Sequence, residues 1–313
     1  MTTIRLCILL LFIPKLCIAQ LSPDDKLIFL DSTYNETQSE YHHYYRIIKD
    51  CKSDKESYAI QDFYKSGGLL MEGKTSNKNH LIKEGQITYY YKNGNKKSVS
   101  NYVRNRPEGK ETKWYENGTK QEEGEYFVDH EKRRSGYKVN QYWDTSGIQK
   151  VTDGNGNYEQ GDKYFFITGK IKDGLKDGSW QGWADEKEKK CTEIYRGGAF
   201  ISGTTIDVNG TKYEYNVIET KAKPQKGMDD FYQYIKKNFD LSNLIKGTNG
   251  KIYVSFVVDK DGKITNPKIL KGMGYGTDDE SIRVLTNYEN WIPGERRGRK
   301  IRCSFTLPLN IKS

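Results

Sequence analysis

Histidine is scarce in this sequence, with four among 313 residues, and none follows His130. The last part of the chain therefore has no histidine to act as a general base. Serine and aspartate are common, but they fall on turns and strand surfaces, where they are ordinarily structural. Because no nucleophile, base and orienting group form a recognisable set, we expect a protein that is not an enzyme and that uses no cofactor.

Cysteine is also rare. Cys7 and Cys17 lie in the N-terminal segment, and Cys51, Cys191 and Cys303 are widely spaced without a Cys-x-x-Cys pair. This spacing supports no metal site. In an oxidising compartment Cys51 and Cys191 could form a disulfide, and three independent thiols are an equal alternative.

Long apolar runs are missing. The run Leu6–Ile13 is broken by Pro14-Lys15, and it is far shorter than the roughly 20 residues that cross a bilayer. A small-x-small site ending at Ala19 follows, so residues 1–19 are predicted to be a signal peptide cleaved after Ala19. We expect an exported protein of the periplasm or cell envelope without a transmembrane anchor. A lipid anchor at Cys17 is the less favoured alternative.

The formal charge is +9, but lysine and arginine are mostly interleaved with aspartate and glutamate. A nucleic-acid surface would need clustered basic residues, so no nucleic-acid partner is expected. The excess charge suits solubility and weak contact with anionic membrane surfaces. With 24 tyrosines and 30 glycines, the composition favours β-sheet. The runs Leu27–Leu30, Tyr44–Ile48 and Tyr58–Tyr64 predict short strands, the first two within an N-terminal β segment, residues 20–61.

An aromatic-x-x-Gly pattern then recurs along the chain. It appears at Tyr64–Gly67, Tyr91–Gly94 and Tyr115–Gly118, and at Trp143–Gly147 with one inserted residue. Each unit is predicted to be a strand, a turn and a return strand, which buries its face only by stacking on its neighbours. We assign residues 62–220 to this repeat domain. Over about residues 62–204 the pattern resembles the YwqK-like variant of the MORN repeat, which implies an envelope scaffold.

A polar run containing Pro224 is predicted to be a linker, residues 221–227. Residues 228–239 then have helical spacing of apolar residues, and Lys251–Val258 alternates as a half-buried strand. The turn Asp259–Gly262 returns the chain as a second strand over residues 263–270. Together these elements predict a small C-terminal domain over residues 228–313.

A second helix and a last strand complete this domain. Thr277–Glu280 has the form of a capping box at the helix start, and Trp291–Gly294 ends the segment. The basic loop Glu295–Lys300 leads into a final strand, predicted over Ile301–Leu309. The predicted fold is therefore a mostly β repeat meander followed by a small α+β domain of helix, β-hairpin, helix and strand.

The C-terminal pattern resembles the C-terminal domain of TonB over about residues 228–311. The resemblance rests on Asp279–Leu285, on Trp291-x-Pro-Gly294 and on Phe305-Thr-Leu-Pro308. Glu289 stands where the family usually has proline two residues before the tryptophan, and Asp240-Leu241 replaces the Tyr-Pro usually found after the first helix. The fold is expected to survive these changes, although the second lies near the family's partner site.

The resemblance implies a function in binding. In the family the final strand pairs with an extended segment of an outer-membrane protein in TonB-dependent transport, and we expect an adaptor of that kind. Family transducers carry a membrane anchor and a long proline-rich span, whereas this chain has seven prolines. In the final strand Ile301, Cys303, Phe305 and Leu307 are expected to face inward, and Arg302, Ser304 and Thr306 to face out. The expected partner-binding residues lie in the basic entrance and in this strand, namely Arg296, Arg297, Arg299, Ile301, Arg302, Ser304 and Thr306. The basic entrance suits an acidic segment, and a solvated turn is an equal alternative.

The second hypothesis is a repeat scaffold that docks protein, glycan or lipid surfaces through rows of tyrosine and tryptophan. Neither hypothesis specifies an oligomeric state.

Overall fold

The computed structural model describes residues 21–129, 134–162, 164–184, 189–242, 247 and 249–312. The expected signal peptide, residues 1–19, lies outside this part of the chain. The fold is mostly β, with a long meander of hairpins followed by a small α+β region, as the sequence predicts. None of the helices in the described ranges has the length and apolar character needed to cross a membrane.

In the described residues sixteen strands form one sheet, and each strand pairs with the next along the chain. The first three confirm the strands predicted near the N-terminus. The strands are β1 (Lys26–Leu30), β2 (Tyr44–Ile48), β3 (Tyr58–Tyr64), β4 (Leu69–Thr75), β5 (Lys83–Tyr90), β6 (Lys96–Val103), β7 (Arg106–Trp114), β8 (Lys120–Asp129), β9 (Arg134–Trp143), β10 (Gln149–Thr152), β11 (Asn155–Gly161), β12 (Phe165–Lys172), β13 (Leu175–Ala184), β14 (Lys189–Arg196), β15 (Ala199–Ile206) and β16 (Lys212–Tyr215).

The recurring aromatic-x-x-Gly motif forms one type of loop. At Tyr91 the amide donates to the Asn95 carbonyl at 2.9 Å and the Gly94 amide donates to the Tyr91 carbonyl at 3.0 Å. Gly94 has φ 88°, which is the left-handed residue that a three-residue hairpin loop requires. Equivalent hydrogen bonds occur at Tyr64 and Tyr115.

The tyrosine of each loop donates a hydrogen bond to a strand of the next repeat unit. The Tyr91 hydroxyl donates to the Trp114 carbonyl at 2.8 Å, and the Tyr115 hydroxyl donates to the Trp143 carbonyl at 2.8 Å. This confirms that Tyr91 and Tyr115 are structurally equivalent and pack on the next repeat unit. The predicted insertion at Trp143 is wrong, because the loop there begins at Asp144, whose amide pairs with the Ile148 carbonyl. Trp143 is therefore the counterpart of Trp114.

Contacts divide the chain into two compact units. The first is Met1–Tyr158 with Lys170–Lys176, and the second is Glu159–Gly169 with Asp177–Ser313. The first unit has its own apolar core on β1 to β5. The buried core residues are Ile28, Leu30, Ile48, Tyr58, Ile60, Leu70, Met71 and Ile87.

The second unit contains the predicted α+β region. Its main elements are α1 (Met228–Asn238), β19 (Asn249–Val258), β20 (Ile264–Lys271), α2 (Thr277–Thr286) and β24 (Cys303–Lys312). The order of the sheet is β20-β19-β24. Apolar residues of both helices and of this sheet share one core, in which Phe231, Val254, Phe256 and Leu285 are at most 1 % exposed.

Short strands join the segment before α1 to the segment after α2. These strands are β17 (Glu219–Thr220), β18 (Lys223–Pro224), β21 (Trp291–Ile292), β22 (Gly294–Arg296) and β23 (Arg299–Ile301). β17 pairs with β22, and β18 pairs with β21. Residues 221–227, assigned from the sequence as a linker, thus include a paired strand and a buried Ala222.

The predicted capping box at Thr277–Glu280 is wrong. Gly276 is the N-cap residue, and no side chain caps the helix. The Thr277 hydroxyl instead donates to the Gly274 carbonyl at 2.7 Å, and Glu280 accepts the Asp240 amide at 2.7 Å. Thr277 itself is the first helical residue, so its hydroxyl does not reach the amides that an N-cap side chain satisfies.

Candidate partner-binding edge

The final strand, β24, lies at the end of its sheet. In the described part of the chain only β19 pairs with it, in a continuous register that joins Val258 to Cys303 and Asn249 to Lys312. The other side of β24 therefore carries backbone N–H and C=O groups without a strand partner. An edge of this kind is a template on which another strand can add.

The hairpin turn shows how the backbone of β24 is oriented. The Asp259 amide donates to the Lys263 carbonyl at 2.9 Å, so the backbone groups of Asp259 face β20. Because backbone direction alternates along an antiparallel strand, the groups of Val258 face β24. Cys303 pairs with Val258, and its backbone groups accordingly face β19.

Because of this alternation, every second residue of β24 has its backbone N–H and C=O groups on the unpaired side. Ser304 and Thr306 present their N–H and C=O groups there, and their side chains are exposed. Pro308 has the same orientation, which fits a residue that has no N–H to donate. Cys303, Phe305 and the following Leu307 pack against the core instead.

The basic segment before β24 is a hairpin rather than the predicted loop. Gly294 pairs with Ile301, and Arg296 pairs with Arg299. Arg297 and Gly298 form the turn with φ 51° and 74°, and positive φ at two successive residues is typical of a type I′ turn. The final strand consequently begins at Cys303, and Ile301 belongs to β23.

Arg297 is engaged within the protein. Its Nε donates to Glu193 Oε1 at 2.8 Å, and its guanidinium lies 3.8 Å from the centre of the Phe165 ring. The side chain of Arg297 is 13 % exposed and that of Glu193 is 1 % exposed. Arg297 therefore anchors the hairpin turn, and its side chain is not directed at the edge of β24.

Two tyrosines complete the surroundings of Glu193. The Tyr195 and Tyr215 hydroxyls donate to its carboxylate at 2.7 and 3.1 Å. Burial raises the pKa of both tyrosines, and the Glu193 carboxylate raises it further. The result is a buried carboxylate held by two hydroxyls and one guanidinium, which is the satisfied arrangement that a buried charge requires.

The other predicted binding residues lie nearer the surface. Arg296 forms an exposed ion pair with Glu219, at 3.6 Å, and Arg299 lies 5.4 Å from the centre of the Tyr213 ring. Arg302 is exposed and directly precedes β24. The hairpin and the unpaired edge are thus contiguous in the chain.

A cavity of about 680 Å³ lies beside this hairpin within the second unit. Among the described residues, its lining contains seven lysine and arginine side chains and one carboxylate, Asp162. Phe165 and Tyr164 form an aromatic part of the wall, and Thr205 lies on the sheet side. Arg296 and Arg297 are paired with Glu219 and Glu193, and the described lining still has more basic side chains than carboxylates.

Two other kinds of site find no support. In the described ranges no group of three or more His, Cys, Asp and Glu residues is placed to hold a metal ion. The stretch Gly68–Thr75 matches the letters of the nucleotide-binding pattern Gly-x-x-x-x-Gly-Lys-Thr, but its residues 69–75 are strand β4, paired with β3 and β5. A phosphate-binding loop would need a free turn followed by a helix.

Sequence reasoning missed Glu193, Phe165 and Thr205 as neighbours of the basic hairpin. The alternation Glu193-x-Tyr195 places both side chains on one face of a strand. The sequence could therefore have indicated that these two side chains belong to one buried cluster. No local signal links that strand to Arg297, because the two are far apart in the sequence.

The geometry defines a small α+β domain whose last strand ends its sheet, preceded by a meander of β-hairpins. Residues 244–312 match the family model described as the Gram-negative bacterial TonB protein C-terminal. This match supports the resemblance seen in the sequence for the C-terminal region, and it covers less than half of the chain. No curated protein matches the chain.

Proposed function

We propose that this protein is an exported, non-catalytic adaptor of the cell envelope, and that it binds an extended segment of an outer-membrane transport protein along β24. The observation that carries the proposal is the unpaired side of β24 in a domain that matches the TonB C-terminal family. Added strands gain affinity from main-chain hydrogen bonds and specificity from alternate side chains.

The backbone groups of Ser304 and Thr306 would form the central hydrogen bonds of the added strand. Arg302 would lie at its entrance, and Arg296 and Arg299 would supply positive charge nearby. We do not include the Arg297 side chain among the partner contacts, because Glu193 and Phe165 already engage it.

A Ser304→Pro substitution tests this proposal. Proline removes the N–H that faces the unpaired side, and the β19–β24 ladder uses the opposite residues of the strand. The full-length protein and the variant would be used as baits in envelope extracts, and the captured outer-membrane proteins identified. We expect capture by the wild type and loss of capture by Ser304→Pro, with both proteins folded by circular dichroism.

A matched control is Asn310→Pro, which removes an outward N–H near the far end of β24. A shared loss in both variants would place the contact along the whole edge, whereas retained capture by a folded Ser304→Pro would contradict strand addition at this site.

The second candidate function is a repeat scaffold, of MORN type, that docks protein, glycan or lipid surfaces. The exposed side chain of Tyr164, within the assigned repeat region, favours it. The Tyr64, Tyr91 and Tyr115 hydroxyls are bonded to the carbonyls of neighbouring units, so this row of tyrosines is a weaker candidate for a ligand surface.

A further inference from the structure

The wall of the cavity beside the basic hairpin includes a residue with an unsatisfied polar atom. Thr205 is 2 % exposed, and its Oγ1 is buried without a hydrogen-bond partner in the described residues. A buried hydroxyl without a partner costs free energy, and Thr205 lines this cavity. A ligand whose acceptor oxygen reaches this hydroxyl would satisfy it.

The charges around Thr205 specify the kind of acceptor. Arg297 uses Nε for Glu193, and no hydrogen bond to another described residue occupies its two amino groups, although Phe165 packs against the guanidinium. Arg299 and Lys300 of the same hairpin also line the cavity, as does Lys260 from the β19–β20 turn. Planar guanidinium groups bind oxyanions through paired hydrogen bonds.

The excess of positive charge inside one cavity favours a ligand whose negative charge is compact. Even with Arg296 and Arg297 paired to Glu219 and Glu193, basic side chains outnumber carboxylates in the described lining, so a ligand of charge −2 compensates them better than one carboxylate does. An extended peptide on β24 spreads its charges along the strand, whereas a phosphate group concentrates them and offers several acceptor oxygens.

We propose that this cavity binds a phosphomonoester. The aromatic wall of Phe165 and Tyr164 would contact the group that carries the phosphate. This binding site does not depend on strand addition at β24, and its sources are a soluble sugar or glycerol phosphate or a phosphorylated lipid headgroup.

Titration calorimetry at constant ionic strength would test the proposal, using the full-length protein and glycerol 3-phosphate. Vesicles of phosphatidylcholine with phosphatidic acid, compared with vesicles of phosphatidylcholine alone, form the lipid arm. Binding in either arm supports the proposal and identifies the source. Absence of binding in both arms overturns it.

Thr205→Val separates ligand binding from folding. Valine fills nearly the same volume and removes the unsatisfied hydroxyl, so the melting temperature of the ligand-free protein should hold or rise. Affinity for the phosphomonoester should fall about fivefold, as expected for one hydrogen bond.

Arg299→Ala should weaken binding about tenfold, and Lys268→Ala, an exposed charge on β20, should have no effect. Unchanged affinity in both Thr205→Val and Arg299→Ala would contradict the site.

The pH dependence distinguishes a phosphate from an acidic peptide. The second ionisation of a phosphomonoester has a pKa of about 6, whereas carboxylates ionise near pH 4. Affinity should therefore decrease as the pH falls below about 6. In Ser304→Pro, in which strand addition is blocked, an acidic peptide that still competes with glycerol 3-phosphate and binds more tightly, without this pH dependence, would overturn the proposal in favour of a peptide site. Ser304→Pro should leave phosphomonoester binding unchanged, so failure of strand addition and failure of this site can be told apart.

Discussion

Arg297 Nε donates to Glu193 Oε1 at 2.8 Å, and both side chains are almost completely buried. This contact fixes the turn between β22 and β23 onto the face of β14. The hairpin leads directly into β24, so the ion pair also contributes to the position at which the candidate binding edge begins.

Removal of one partner of this ion pair should destabilise the protein. Arg297→Ala leaves the Glu193 carboxylate buried with only its tyrosine donors, and a buried pair broken in this way typically costs about 3 kcal/mol or more. Denaturant unfolding followed by circular dichroism measures the loss.

Arg296→Ala is the matched control for that experiment. Arg296 is 56 % exposed, and its ion pair with Glu219 is also exposed, so its loss should cost less than about 1 kcal/mol. Equal effects of Arg296→Ala and Arg297→Ala would contradict the anchoring role of Arg297. Combining Arg297→Met with Glu193→Gln should recover part of the lost stability, because no buried charge is then left unpaired.

Tyr91→Phe and Tyr115→Phe should reduce stability by similar amounts. Each change removes one hydroxyl that donates to a carbonyl in the next repeat unit at 2.8 Å, and each loss is worth about 1 kcal/mol. Thermal unfolding of the two variants, compared with Tyr41→Phe at an exposed position, provides the measurement. If Tyr41→Phe lowered the stability as much as the other two changes, the hydroxyls of Tyr91 and Tyr115 would contribute no more stability than an exposed hydroxyl does.

The pH dependence of stability should include a contribution from Glu280. Hydrogen bonds from Arg283, at 2.6 and 2.7 Å, hold the pKa of Glu280 below its ordinary value, and the Asp240 amide acts in the same direction. Because the folded state binds the proton less tightly than the unfolded state, this contribution is present above about pH 4.5. It is lost as the pH falls through the lowered pKa.

Glu280→Gln should therefore be less stable than the wild type at neutral pH, and the difference should shrink in acid. Urea unfolding at several pH values between neutral and strongly acidic conditions gives the comparison. Arg283→Met should cost at least as much, because Arg283 also donates to the Asn238 carbonyl at 2.8 Å, and the double variant should be no worse than Arg283→Met alone. If the stability difference between Glu280→Gln and the wild type stayed constant with pH, the charge of the Glu280 carboxylate would not contribute to stability.

Much of the fold could be predicted from the sequence, because it depends on local periodicity. Alternation located β19 and β24, and the spacing of Phe231, Ile235 and Phe239 located α1. The glycines of the aromatic-x-x-Gly motif identified the loops, since their left-handed conformation requires glycine there. These features depend on neighbours within a few residues.

The contacts made across the chain could not be predicted in this way. Arg297 was expected to face a partner because it lies among exposed arginines, and only the fold brings Glu193 and Phe165 to it. The letters Thr277-x-x-Glu280 match a capping box, but the preceding Gly276 takes the N-cap position. Whether a carboxylate caps a helix or binds an arginine depends on tertiary placement.

A second buried carboxylate, Glu122, should determine the alkaline stability of the first unit. Glu122 is 2 % exposed and accepts hydrogen bonds from the Tyr137 hydroxyl, at 2.8 Å, and from the Tyr158 hydroxyl. Burial raises the pKa of both tyrosines, and the negative charge of Glu122 raises it further. The folded state thus keeps these protons where the unfolded state loses them.

Stability from these tyrosines is present below the ordinary tyrosine pKa of about 10, and it is lost as the pH rises above that value. Glu122→Gln removes the charge that disfavours ionisation, so the loss of stability above about pH 10 should become shallower. Tyrosinate absorbance recorded during alkaline titration should show fewer tyrosines that ionise only on unfolding. Glu123→Gln, at a more exposed position on the same strand, should retain the wild-type titration. Identical titrations of Glu122→Gln and the wild type would mean that the Glu122 carboxylate contributes nothing to the alkaline limit.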